Sequence, residues 1–269
     1  MRSIILAIQF LTILPVRLKG VVSERDIARS AAFFPVVGVV QGVLLLSSAI
    51  PLIRILPPDI VSGLIIAIAI ISNGGFHLDG LADTFDALAV KSSGDPVADR
   101  KKRLSVMKDS STGAIGVVAI VMVLLLKFVL IKNVLLFPDS LRAFLILFLM
   151  PVFSKWIMVP AMYLGKSARH DGLGKIFIES MSLQIVMFSS ALAIFIFAII
   201  YITHLAGIFG LQTLLIFGLL SAGYLLAHIA VLFCSKKFGG LTGDTLGALS
   251  ELSEILYLMG SYLWLQHSI

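Results

Sequence analysis

Charge is what this sequence has least of. Only 13% of its 269 residues are Asp, Glu, Lys or Arg and 59% are hydrophobic, whereas a soluble domain is about one quarter charged. With a mean hydropathy of +1.06, a soluble protein with a large core is excluded. There is one cysteine, Cys234, so no intramolecular disulfide can form. Its setting in AVLFCSKK marks a helix-end packing residue rather than a nucleophile. Basic–aromatic interleaving and nucleic-acid motifs are missing, so the net charge of +6 concerns topology and no nucleic-acid partner is expected. The opening MRSIILAIQFLTILPVR lacks a small-residue cleavage site and reads as retained. With no internal repeat, low-complexity tract or soluble segment in view, residues 1–269 read as a single integral membrane domain.

What is abundant is apolar runs, several reaching the roughly 20 residues that cross a bilayer. The expected fold is all-α: a polytopic transmembrane helical bundle of about seven spans. These lie at 31–53, 60–74, 113–131, 141–164, 183–203, 211–233 and 245–265. Residues 4–14 are too short to span and read as an interfacial or re-entrant segment. The second span is also short, unless it continues through Asn73-Gly74-Gly75 into the next helix.

Lys and Arg gather in alternate connections. They cluster before the first span, between the second and third, after the fourth (Lys166, Arg169, Lys175) and after the sixth (Lys236, Lys237). The positive-inside rule puts those loops in the cytoplasm. The expected location is the cell (inner) membrane, with lipid as a partner and any active site facing the cytoplasm.

Against that background the stretch GGFHLDGLADTFDAL at 74–88 stands out. Asp79, Asp83 and Asp86 are four and three residues apart and share one face of a helix. Carboxylates so close repel unless protons or cations lie between them. Hard oxygen donors of this kind suit Mg²⁺, which bridges carboxylates to substrate phosphates. A solvated helix face is the plain alternative, but where charge is this scarce, acids at a membrane edge read as functional.

A second acidic stretch is GGLTGDTLGALSELSEIL. Asp244 and Glu251 are seven apart and share a helix face, with Glu254 offset. Thr242 or Asp244 serves as a cap for that helix, which leaves Glu251 unexplained. The loop DRKKRLSVMKDSSTGAIG is basic. It is read either as a headgroup-facing topological signal or as a polyphosphate grip through Arg103 and Lys108. Asp109 and Ser110 are the candidates to cap the span that follows. Lys155, within PVFSKWIMV, either snorkels to the cytoplasm or meets a phosphate or carboxylate.

Taken together, LAIQFLTILPV, FFPVVGVVQG, GGFHLDGLADTFDAL, RLSVMKDSSTGAIG, PVFSKWIMV and GGLTGDTLGALSEL resemble the cobalamin synthase family across nearly the whole chain. These are membrane adenosylcobinamide-GDP ribazoletransferases, which act in nucleotide-loop assembly. The resemblance implies joining of adenosylcobinamide-GDP to α-ribazole or its 5′-phosphate, with release of GMP, in a Mg²⁺-dependent phosphoryl transfer. On that footing Asp79, Asp83 and Asp86 would bind the metal. Asp83, Asp86 or Asp244 would accept the acceptor's proton, and Arg103, Lys108, Lys155 and Glu251 would contact substrate. Homo-oligomers and contacts with other cobalamin-pathway enzymes are left open. SARHDGLG departs somewhat from the family's usual run, which puts a role for His170 or Asp171 in doubt.

Three rivals remain at this point. A CDP-alcohol phosphotransferase would carry Ala-Arg after its Asp-Gly pair, whereas Leu81-Ala82-Asp83 stands here. A UbiA-type prenyltransferase would carry a second aspartate-rich motif. An ion-coupled transporter would show repeat symmetry.

Overall fold

The computed structural model describes residues 2–18, 20–204 and 209–267, with side chains except over 201–216 and 267. Among the described residues there is no β-strand, only helices and their connections. In chain order they are α1 (Arg2–Leu11), α2 (Glu24–Ser30), a 3₁₀ turn (Ala31–Phe33), α3 (Phe34–Leu52), α4 (Pro58–Ser72), α5 (Phe76–Leu88) and α6 (Pro96–Val106). Then follow α7 (Ala114–Leu135), α8 (Ser140–Leu164), α9 (Leu173–Glu179), α10 (Leu183–His204), α11 (Phe209–Phe238) and α12 (Gly243–His267).

The protein is a polytopic helical membrane protein, as its composition dictates. Five helices are long and apolar enough to cross a bilayer, or six if the bent pair α4–α5 counts as one. The first of them runs without a break from Glu24 through the 3₁₀ turn to Leu52. The expected seventh span falls on α12, which has 25 residues and a length of about 37 Å. Its glutamates, serines and glycines keep it out of the apolar class. Residues 4–14 fall on the short apolar helix α1 and the irregular stretch that follows it.

The second expected span ends in a sharp bend. α4 stops at Ser72, and α5 departs from it at 89°. Gly74 and Gly75 make the corner at φ +66° and +74°, values that glycine adopts without steric cost. The Asn73 side chain closes the turn by accepting the Gly75 amide at 2.9 Å. The aspartate helix is therefore a separate element lying across the end of α4.

At the centre stands α8, with 83% of its apolar stretch buried, against 33% for α7 and 22% for α10. The last two turn most of their surface outward to lipid. α3 lies along α8, and the small-residue pair Gly38 and Gly42 explains how closely. A Cβ on Gly38 would fall 2.4 Å from Val152 Cα, and one on Gly42 would fall 2.3 Å from the Phe148 carbonyl oxygen. In lipid, where apolar burial drives little association between helices, such backbone proximity supplies packing energy instead. α12 packs against α5, α8 and α7, so it joins the bent helix to the core of the bundle.

Candidate active site

The site forms where α5, the start of α12 and two loops converge. Gly80 sits against the Asp244 backbone so closely that a Cβ there would lie 2.8 Å from Asp244 Cα. The absent side chain lets the two acidic stretches of the sequence share one place. Thr242 caps α12, its hydroxyl accepting the Thr245 amide at 3.2 Å. That leaves the Asp244 carboxylate free for other work.

Its partner is Arg169. The guanidinium meets Asp244 Oδ2 at 2.7 Å and also donates to the Met107 carbonyl at 3.2 Å. The backbone holds Arg169 in position. Leu241 donates to the Lys166 carbonyl at 2.7 Å, and Ala168 donates to the Leu241 carbonyl at 2.8 Å. This two-bond clasp joins the α8–α9 loop to the turn before α12. Sequence reading counted Arg169 only as a topological charge, because nothing local shows that its loop folds back on Asp244.

Asp79 is exposed and Asp83 half-buried. Asp83 lies within electrostatic reach of Asp79, Asp86, Asp244 and Arg169. Neither the Asp79 nor the Asp83 carboxylate makes a hydrogen bond or ion pair among the described residues. Asp86 differs. Its Oδ2 accepts the Gly113 amide at 2.7 Å, and its Oδ1 accepts the Gly116 amide at 2.8 Å. These are orphan amides of the first turn of α7, so Asp86 caps a helix remote from it in sequence. Asp109, expected to cap α7, instead accepts the amide and hydroxyl of Ser111.

The basic residues also have settled places. Arg103 is buried and donates to the Lys237 carbonyl near the end of α11 at 3.1 Å. Lys108 is exposed and grips Asp171 with 3.1 and 3.2 Å contacts, which hold the Asp171 carboxyl below its ordinary range. Nearby, hydrogen bonds from Ser92 and Ser93 hold Asp99 down to about 2 and tie the α5–α6 connection to α6.

Lys155 and Glu251 lie elsewhere, inside the bundle. Lys127 Nζ on α7 contacts Glu251 Oε2 at 2.5 Å and Glu254 Oε2 at 2.6 Å. Glu254 Oε1 accepts from Ser154 at 2.8 Å and lies 3.4 Å from Lys155 Nζ. Lys155 also reaches Ser250 Oγ at 3.2 Å, and Ser250 in turn contacts His77 Nδ1 at 3.4 Å. Two lysines thus balance two glutamates, all buried. They border a cavity of about 20 Å³, room for about one water. Lys127 was overlooked in the sequence, although a cation midway along an apolar run is itself a signal.

Between the acids and the N-terminal helix opens a pocket of about 450 Å³, bordered by α1, α5, α8, α9 and the start of α12. Asp79, Asp244 and His77 line one side of it. The carboxylates therefore face a space of substrate size. Asp79 and Asp83 are oxygen donors of the type that Mg²⁺ takes, and one or two carboxylates suffice when phosphates and waters complete the shell. No group of three or more His, Cys, Asp or Glu is arranged as a ligand cluster among the described residues.

Comparison with known proteins identifies the family. The family model described as cobalamin-5-phosphate synthase matches residues 3–262. An adenosylcobinamide-GDP ribazoletransferase of Thermodesulfovibrio yellowstonii is 36% identical over 267 residues, 98% of either chain. Proteins of the same name from Desulfitobacterium hafniense and Geotalea daltonii are 33% and 36% identical, covering 97% and 96% of both chains. No solved structure matches. The chain belongs to the cobalamin-5-phosphate synthase family.

Proposed function

We propose that the protein is an adenosylcobinamide-GDP ribazoletransferase that joins its donor to α-ribazole or the 5′-phosphate and releases GMP with Mg²⁺. The carrying observation is the convergence of Asp79, Asp83 and Asp244 with Arg169 beside a substrate-sized pocket. Family membership favours this reading over the CDP-alcohol, prenyl-diphosphate and transport alternatives.

The acceptor's ribose hydroxyl attacks the phosphorus nearer the cobinamide. A new P–O bond forms, the bond to the GMP oxygen breaks, and GMP leaves with that electron pair. Mg²⁺, held by Asp79 and Asp83, would neutralise charge on the diphosphate, which is most of what such transfers require. The hydroxyl proton goes to a free oxygen of Asp83. Asp86 orients α5 against α7, since both its oxygens already accept amides. Asp244 keeps Arg169 turned toward the diphosphate, and Lys108 guards the rim. Arg103, Lys155 and Glu251 support the site through packing. This end of the molecule carries the basic loops, with Arg100, Lys101 and Lys102 on α6, so we place it in the cytoplasm.

The test is GMP release by the detergent-purified protein given both substrates. Turnover should require Mg²⁺ and stop with EDTA. Product formation that is indifferent to chelation would remove the metal from this scheme, and no product at all would remove the reaction.

A further inference from the structure

The 450 Å³ pocket beside the acids has two unlike ends. The far end is aromatic. The rings of Phe10 on α1 and Phe177 on α9 lie 4.6 Å apart, with Phe34 5.6 Å from Phe177, and the thioethers of Met158 and Met162 continue the wall. The near end carries Asp79 and Asp244. Apart from these acids, the polar side chains that line the pocket are Gln9 and His77, and His77 is already in contact with Ser250 through Nδ1.

We infer that this pocket seats the aromatic base of the acceptor nucleoside, with the base among the phenylalanines and the ribose toward Asp79 and Asp244. The inference rests on the transfer reading above. Three observations separate the acceptor from the donor. The volume lies low in the range of about 300–1,000 Å³ typical of small-ligand pockets. That suits a nucleoside and is too small for a corrin macrocycle with its side chains. The aromatic end offers no array of donors and acceptors. A guanine buried there would lose the partners of its several donors and acceptors at a cost, whereas the dimethylbenzimidazole of α-ribazole has an apolar dimethylated edge to bury and a single ring-nitrogen acceptor to satisfy. Finally, the acids stand at the end where the attacking hydroxyl must be. The donor's diphosphate is then left to the loop side, where Arg169 and Lys108 lie. The short helix α1 acquires a role as one wall of the acceptor site.

The experiment uses the full-length protein in detergent and two variants, Phe177→Leu and Leu173→Trp. Leu173 lines the pocket and is 52% exposed, so a tryptophan there fills the mouth without disturbing packing. Equilibrium dialysis measures α-ribazole binding without donor, and kinetics give separate KM values for acceptor and donor. The wild type should bind α-ribazole, and should bind the analogue lacking the two methyl groups about tenfold more weakly. Both variants should raise acceptor Kd and KM about tenfold or more, leave donor KM unchanged and shrink the methyl preference. Unchanged acceptor binding in both variants, with product still formed, overturns the pocket assignment and leaves the reaction standing. A rise in donor KM instead gives the pocket to the donor and likewise overturns it. If wild type makes no product, the reaction falls, and loss of α-ribazole binding in the variants still decides whether the pocket holds the base.

Discussion

Lys127 on α7 and Glu251 on α12 meet at 2.5 Å, with both side chains buried in the bundle. The ammonium also serves Glu254, and Glu254 serves Lys155. Removing one charge leaves another without its ionic partner inside the bundle. Lys127→Met should therefore cost about 3–5 kcal/mol of stability. The double variant Lys127→Met with Glu251→Gln restores neutrality and should recover part of that loss. Unfolding midpoints in detergent measure both. A single variant as stable as wild type would mean that the contact contributes nothing.

Asp86 and Asp83 sit three residues apart and should respond differently. Asp86→Ala leaves two α7 amides without acceptors, so stability should fall by about 1–2 kcal/mol, with activity falling alongside. Asp83→Asn should leave the thermal midpoint unchanged while lowering GMP release by about 100-fold or more. Thermal shift and turnover on the same preparations separate the two, and full activity in Asp83→Asn would sink its assigned role.

Arg169 joins two loops to the site, through Asp244 and the Met107 carbonyl. Arg169→Ala should raise donor KM about tenfold, the worth of one charged hydrogen bond, and leave acceptor KM alone. Lysine at this position should recover little, because one ammonium cannot replace the planar fork. Steady-state kinetics with each substrate varied in turn checks the split.

Gly80 lets α5 touch the start of α12. Gly80→Ala places a methyl 2.7 Å from the Asp244 carbonyl oxygen, and overpacking of this kind costs about 1–3 kcal/mol. Because the displaced backbone is that of Asp244, turnover should fall further than stability does. Equal, small effects on both would show that the helices separate without disturbing the acids.

Much of the site was legible because its signals are local. Asp79, Asp83 and Asp86 share a helix face by spacing alone, and carboxylates in so apolar a chain stand out against their surroundings. Lys155 and Glu251 were also noticed as charges out of place. Their true neighbours were hidden, since Lys127 comes 124 residues before Glu251 and no spacing rule connects α7 to α12. Arg169 was hidden for the same reason. Its position depends on two backbone hydrogen bonds between loops that are far apart in the chain.

The sequence by itself determined a helical membrane bundle and an acidic helix at its edge, and left open the continuation through Gly74-Gly75 that the structure turns into a corner. Hydropathy and periodicity act within one segment, and backbone groups in lipid must bond within their own helix. Tertiary structure alone decided the division of labour among the charges. Asp86 became a cap, Glu251 and Lys155 became members of a buried neutral cluster, and Asp79 and Asp244 were left facing the pocket, with Asp83 within their electrostatic reach. A charged side chain in a low-dielectric interior is defined by what stands within a few ångströms of it, and in this protein those neighbours come from other helices.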